Sequence, residues 1–155
     1  FMLEEECHRN FAFVFFHAEQ MPLLRWESME SKSLGGDLWE VTVAVANDRL
    51  IPTRTARAAE KSIGRPDLLV VDGGPGVEVI ASGLVQGREQ RTFTPQPQEP
   101  ARLMVNDGGP SHGSTLMRLI VKGPAGAPLQ LNYQAEKALD LEGSLVLGAE
   151  PTRTP

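Results

Sequence analysis

The sequence predicts a mainly β protein: an Ig-like antiparallel β-sandwich of seven or eight strands preceded by one N-terminal α-helix. Three observations carry this. Within Asp37–Thr53, Trp39, Val41, Val43 and Val45 alternate with Glu40, Thr42, Ala44 and Ala46. That is the period-2 pattern of a strand with one face in a core. Further short apolar runs follow, each closed by Gly, Pro, Asn or Asp, as in a chain of hairpins. Strand and helix patterns do not alternate, which argues against a doubly wound parallel sheet.

The elements follow in order. Leu3–Gln20 reads as a helix, because Leu3, Cys7, Phe11, Val14, Phe15 and Ala18 recur at helical spacing. Glu4, Glu5 and Glu6 favour the positive end of its dipole, and Pro22 ends it. Phe13 and Phe16 fall off the apolar stripe, so the helix calls for neighbours on more than one side. Leu23–Lys32 reads as a strand, with Leu24 and Trp26 on one face. Gly35-Gly36-Asp37 turns it into the organising strand, which Asn47-Asp48 and Pro52 close. Thr53–Gly64 allows a short helix capped by Thr53 or Thr55, or an ordered loop.

Strands are expected at Leu68–Val71, Val77–Ala81, Arg102–Val105, Thr115–Lys122, Leu129–Tyr133 and Ser144–Leu147. Arg88–Pro100, rich in Gln, Thr and Pro, reads as a long exposed connection. Gly123–Pro128 is a turn. The domain layout is then helix 1–22, sandwich 23–148, and a tail 149–155 with nothing to bury, expected to be disordered.

With 155 residues, 41% of them hydrophobic and 23% charged, the chain can bury a core without disulfides or metals. A formal charge of −5 argues against nucleic acid, whose binding relies on clustered Lys and Arg. The apolar centre of the first helix is far shorter than the ~20 residues of a membrane span. Cys7 is the only cysteine, which excludes an intrachain disulfide and a Cys-based zinc site but leaves the compartment open.

The search for chemistry yields no candidate catalytic, cofactor-binding or metal-ligating residue. His8 and His17 share the first helix but are too far apart to hold one metal from adjacent turns. No HExxH or HxxE accompanies them or His112. Ser111-His112-Gly113-Ser114 lacks the strand–Ser–helix elbow of a hydrolase. Gly73-Gly74-Pro75-Gly76 lacks the Lys-Ser/Thr pair of a phosphate loop. Asp72-Gly-Gly-Pro echoes Asp107-Gly-Gly-Pro, yet calcium takes six or more oxygens and neither loop supplies them. Both read as strand-ending turns.

One resemblance adds to this reading. Glu6-Cys7-His8-Arg9-Asn10, the helix to Gln20 and Met21-Pro22-Leu23-Leu24 resemble the end of the catalytic domain of bacterial M14-family zinc carboxypeptidases. Leu38–Val43, Asn47, Leu50–Thr53 and Arg65-Pro66 are similar to the β-sandwich that trails that domain in some members. Leu119–Gly123 and Glu136-Lys137-Ala138 resemble its later strands. The family's zinc ligands (an HxxE pair and a later His), its substrate-binding Arg and its Glu base have no counterpart here. The resemblance implies that they lie upstream of Phe1, with the zinc.

The function expected is therefore a non-catalytic accessory sandwich of a zinc carboxypeptidase-like protein. Its partner would be its own upstream catalytic domain, met through Phe11, Phe13, Phe15 and Phe16, and the isolated chain would self-associate through the same rings. The alternative is a carbohydrate- or cell-wall-peptide-binding module. That reading needs an exposed aromatic platform, for which Trp26, Trp39 and Tyr133 are the candidates. An independent hydrolase centred on His112 is the weakest reading.

Overall fold

The structure, a computed structural model, describes residues 2–86, 92–149 and 152–153. Its organising hairpin is the one the alternation predicts. Strand β1 (Leu24–Gly35) returns through Gly36 and Asp37 as β2 (Leu38–Asn47). Gly35 and Gly36 hold φ of 107° and 59°, the left-handed side that glycine enters without a Cβ clash. Trp39, Val41, Val43 and Val45 all point into the core. Ala44 and Ala46, on the face expected to be wetter, are buried as well. The cause is position: β2 is central, so Ala44 lies between Ser28 and Leu116, and Ala46 between Arg25 and Ser114. Small side chains between longer neighbours lose their water.

Six further strands complete the expected set: β3 (Asp67–Asp72), β4 (Glu78–Gln86), β6 (Arg102–Val105), β7 (Gly113–Lys122), β8 (Pro128–Gln134) and β9 (Leu141–Val146). Two others, β5 (Thr92–Pro95) and β10 (Thr152–Arg153), were not expected, and bring the described strands to ten. Arg88–Pro100 is thus not a plain connection. Residues 87–91 lie outside the described residues, but Thr92–Pro95 pair with β4. The Pro and Gln content hid a Thr-Phe-Thr run of good β-formers. In the tail expected to be disordered, Thr152 and Arg153 pair with Met29 and Ser28. The rest of 150–155 lies outside the described residues.

The strands form two antiparallel sheets, β10-β1-β2-β7-β4-β5 and β6-β3-β8-β9. Seven of them pair as the strands of a constant-type immunoglobulin domain do. β1-β2-β7-β4 corresponds to the A-B-E-D sheet and β3-β8-β9 to C-F-G. The core lies between the sheets, with Met117, Leu119 and Val121 of β7 facing Leu69, Leu131 and Tyr133 across it. β9 begins earlier than expected because it runs through Gly143. A Cβ there would stand 2.5 Å from Trp26 Nε1, so the missing side chain makes room for the indole.

Two helices complete the chain. α2 (Ala56–Glu60) is the short helix allowed between Thr53 and Gly64, and Thr55 caps it, its Oγ1 accepting from Ala58 N at 3.2 Å. α1 (Leu3–Glu19) is the N-terminal helix, and not one of its residues is buried. It joins the sandwich at its C-terminal end, where Ile51 N donates to Gln20 O at 3.1 Å. No helix among the described residues is long and apolar enough to cross a membrane.

Candidate functional site

His8, His17 and His112 do not converge. The first two are exposed on α1, where His17 Nδ1 lies 2.9 Å from Phe13 O, and His112 is exposed in the β6–β7 loop with φ of 42°. Among the described residues no group of three His, Cys, Asp or Glu side chains could hold a metal. The two Asp-Gly-Gly-Pro segments behave differently. Asp72 Oδ1 accepts from Gly74 N at 2.9 Å in an exposed turn. In the second, Asp107 is exposed while Gly108 and Gly109 are buried against Thr53 and Arg54. This turn is a docking element, pressed onto one end of the sandwich.

That end is held by a buried polar network. Asp67, which opens β3, is 1% exposed. Its Oδ2 accepts from Thr53 Oγ1 at 2.5 Å, Tyr133 OH at 2.9 Å and Gly109 N at 3.2 Å. Burial first, then the charge and hydrogen bond of Asp67, push the Tyr133 phenol far above its ordinary range. Arg54 is buried too, donating to Asn106 O at 2.8 Å, Ile63 O at 3.2 Å and Ala58 O at 3.4 Å. Asn47 uses all its hydrogen-bonding capacity. Oδ1 accepts from Leu23 N and Arg49 N, while Nδ2 donates to Ile51 O and Pro110 O. These bonds tie the β2–α2 and β6–β7 loops to the sheets, although Asp67 Oδ1 and Arg54 Nε are buried without a hydrogen-bond partner, and the network presents no reagent to solvent. Their role is to fix loop shape.

The candidates for a carbohydrate-binding platform, Trp26, Trp39 and Tyr133, do not form one. Trp26 and Trp39 are each 8% exposed and Tyr133 is fully buried, and these are the chain's only tryptophans and tyrosine. Trp26 Nε1 donates to Glu142 O at 3.0 Å and Trp39 Nε1 to Gly123 O at 2.9 Å. Both indoles are structural, and the carbohydrate reading loses its candidates.

A groove that sequence reading missed lies on the outer face of the β6-β3-β8-β9 sheet. It has a volume of about 420 Å³ and is lined by Arg65, Leu68, Gln96, Arg102, Met104 and Gln134, with Gln98 and Glu99 at its rim. Register explains the floor, since Met104 and Gln134 both pair with Leu68 from either side. Gln96 builds the wall. Its Nε2 donates to Gln98 O at 2.6 Å and Arg102 O at 2.9 Å, and its Oε1 accepts from Met104 N at 2.9 Å. It thereby occupies the free backbone edge of β6.

Comparison with known proteins places the sandwich. The sequence profile described as "Domain of unknown function (DUF8731)" matches residues 23–145. The chain belongs to the DUF8731 family. The DUF8731 match spans the polar network and the groove and does not include α1. Among solved structures, the GAE domain of GGA2p from Saccharomyces cerevisiae is similar at 11% identity. That alignment covers 86% of this chain and 97% of the yeast domain, with a TM-score of 0.31, too distant to bear on function. No curated protein matches the chain. The expected kinship with M14 carboxypeptidases finds no counterpart among these similarities.

Proposed function

We propose that this DUF8731 chain is a non-catalytic accessory domain that docks a partner through α1. One observation carries the proposal. α1 has 17 residues, none buried, and exposes Phe11, Phe13, Phe15 and Phe16 by 63%, 64%, 56% and 51%. In proteins most helical stability comes from packing of an apolar face, and α1 packs none of its own on the sandwich. Contiguous apolar surface on one element marks an interaction site.

The partner we propose is a catalytic domain of the zinc carboxypeptidase kind in the same polypeptide. That identity rests on the resemblance of Glu6–Asn10 and Met21–Leu24 alone. Phe11 and Phe15 stack on each other, centroids 5.4 Å apart, while Phe13 packs against His17 on another side of the helix. The sandwich buries no residue of this helix, so both apolar sides are open to the partner. Sequencing the coding region 5′ of the Phe1 codon tests the partner's identity. An HxxE pair followed by a later His, an Arg and a Glu in one open frame is expected. An unrelated frame there overturns the carboxypeptidase assignment.

A further inference from the structure

The groove over Leu68 shares no residue with α1, and its lining has a chemistry of its own. We infer that it binds an extended acidic peptide segment, with a carboxylate on Arg65 and Arg102 and an apolar side chain on Leu68 and Met104. Four features converge on that ligand.

The first is charge. The chain carries a net charge of −5, yet the groove holds two arginines against one carboxylate, Glu99. Glu99 lies 3.7 Å from the Arg102 guanidinium at a well-exposed position, where such a pair holds weakly. The Arg65 side chain has no hydrogen-bond or ion-pair partner among the described residues. An unpaired guanidinium offers a fork of donors matched to a carboxylate. The second feature is the floor. Leu68 is half-buried and Met104 is 47% exposed, side by side in register. A flexible Met beside a Leu makes an adaptable apolar seat.

The third feature is the pair of side-chain amides on Gln98 and Gln134, which have no partners among the described residues. An amide presents both donors and an acceptor, the complement of a peptide group. The fourth is the wall. Because Gln96 occupies the β6 edge at Met104 N and Arg102 O, an incoming segment cannot extend the sheet there. It must lie across the face, over Leu68. Glu99, at the rim, is one of three non-glycine residues with positive φ (47°) among the described residues, so the rim is held in a conformation that Glu99 disfavours.

Fluorescence anisotropy with two end-capped, fluorescein-labelled hexapeptides, one alternating Glu and Leu, the other Lys and Leu, tests the inference. The methyl resonance of Met104, assigned by a Met104→Leu variant, localises binding. The Glu-Leu peptide is expected to bind and to move the Met104 signal, and the Lys-Leu peptide to do neither. An Arg65→Glu/Arg102→Glu double variant, both positions exposed and its fold checked by an unchanged melt, should bind the acidic peptide about tenfold more weakly or worse. Three results overturn the inference: an unmoved Met104 signal with the acidic peptide, equal binding of the Lys-Leu peptide, or full affinity in the double variant.

Discussion

Tyr133 offers an unusually clean test of the buried network, because it is the chain's only tyrosine and its ionisation can be read without ambiguity. Its hydroxyl is buried and donates to Asp67 Oδ2 at 2.9 Å. An ordinary phenol loses its proton near pH 10. In the folded chain burial and the Asp67 charge raise that value. The raised folded value means that the native state holds the proton where the unfolded state has lost it. The stabilisation is therefore fully present below about pH 10 and declines as pH rises above it, by about 1.4 kcal/mol per pH unit. In an alkaline titration the tyrosinate absorbance band should stay silent past pH 10 and rise only together with loss of the β-sheet circular dichroism signal. Tyr133→Phe should remove that group's share of the alkaline slope. At neutral pH it should cost about 1.5–3 kcal/mol for a hydrogen bond to a charged acceptor. Tyrosinate appearing near pH 10 with the sheet signal intact would refute the argument.

Other substitutions test the core and the absence of chemistry. Trp39→Ala should cost about 3–5 kcal/mol in urea unfolding, as buried aromatic truncations do; an unchanged midpoint contradicts its burial. Asn47→Asp keeps shape but turns an oxygen toward Ile51 O and Pro110 O, and should cost about 2–4 kcal/mol by the same assay. Gly83→Ala places a Cβ 2.1 Å from Thr94 O, so it should detach β5, read as faster amide exchange at Thr94 and neighbouring residues. After dialysis the isolated chain is expected to hold no stoichiometric zinc and to release no C-terminal residues from peptides. One tightly held zinc per chain with peptidase activity would contradict that.

The legible parts of the fold were those set by local pattern. Trp39, Val41, Val43 and Val45 declare a strand because side chains alternate across a sheet, and no distant residue is needed to see it. Gly35-Gly36 declare the turn for the same reason. β5 escaped because its four residues sit among prolines and glutamines, and β10 because two residues carry no period. The polar network was invisible for a different reason. Asp67 finds Thr53, Gly109 and Tyr133 at separations of 14, 42 and 66 positions, and only the fold brings them together. The one sequence hint was an aspartate placed directly against an apolar run. The groove likewise draws Arg65, Arg102 and Gln134 from three strands or their flanks. In α1 the phenylalanines announced more apolar surface than one face could hold, and the structure leaves that surface uncovered.

Replacing Phe11, Phe13, Phe15 and Phe16 together with Ser tests the docking role of α1 most directly, with light scattering and thermal melting measured on the same samples. Phe and Ser have similar helix propensities, so the exchange leaves the helix itself little changed. Surface substitutions usually stay within about 0.5 kcal/mol each, and 1 kcal/mol moves the melting temperature of a chain this size by roughly 2–4 °C. The parent chain should self-associate as concentration rises, while the variant stays monomeric and melts within a few degrees of it. A strictly monomeric parent, or a variant whose melting temperature collapses as a core truncation would make it, would show that these rings serve the sandwich's own stability and not a partner.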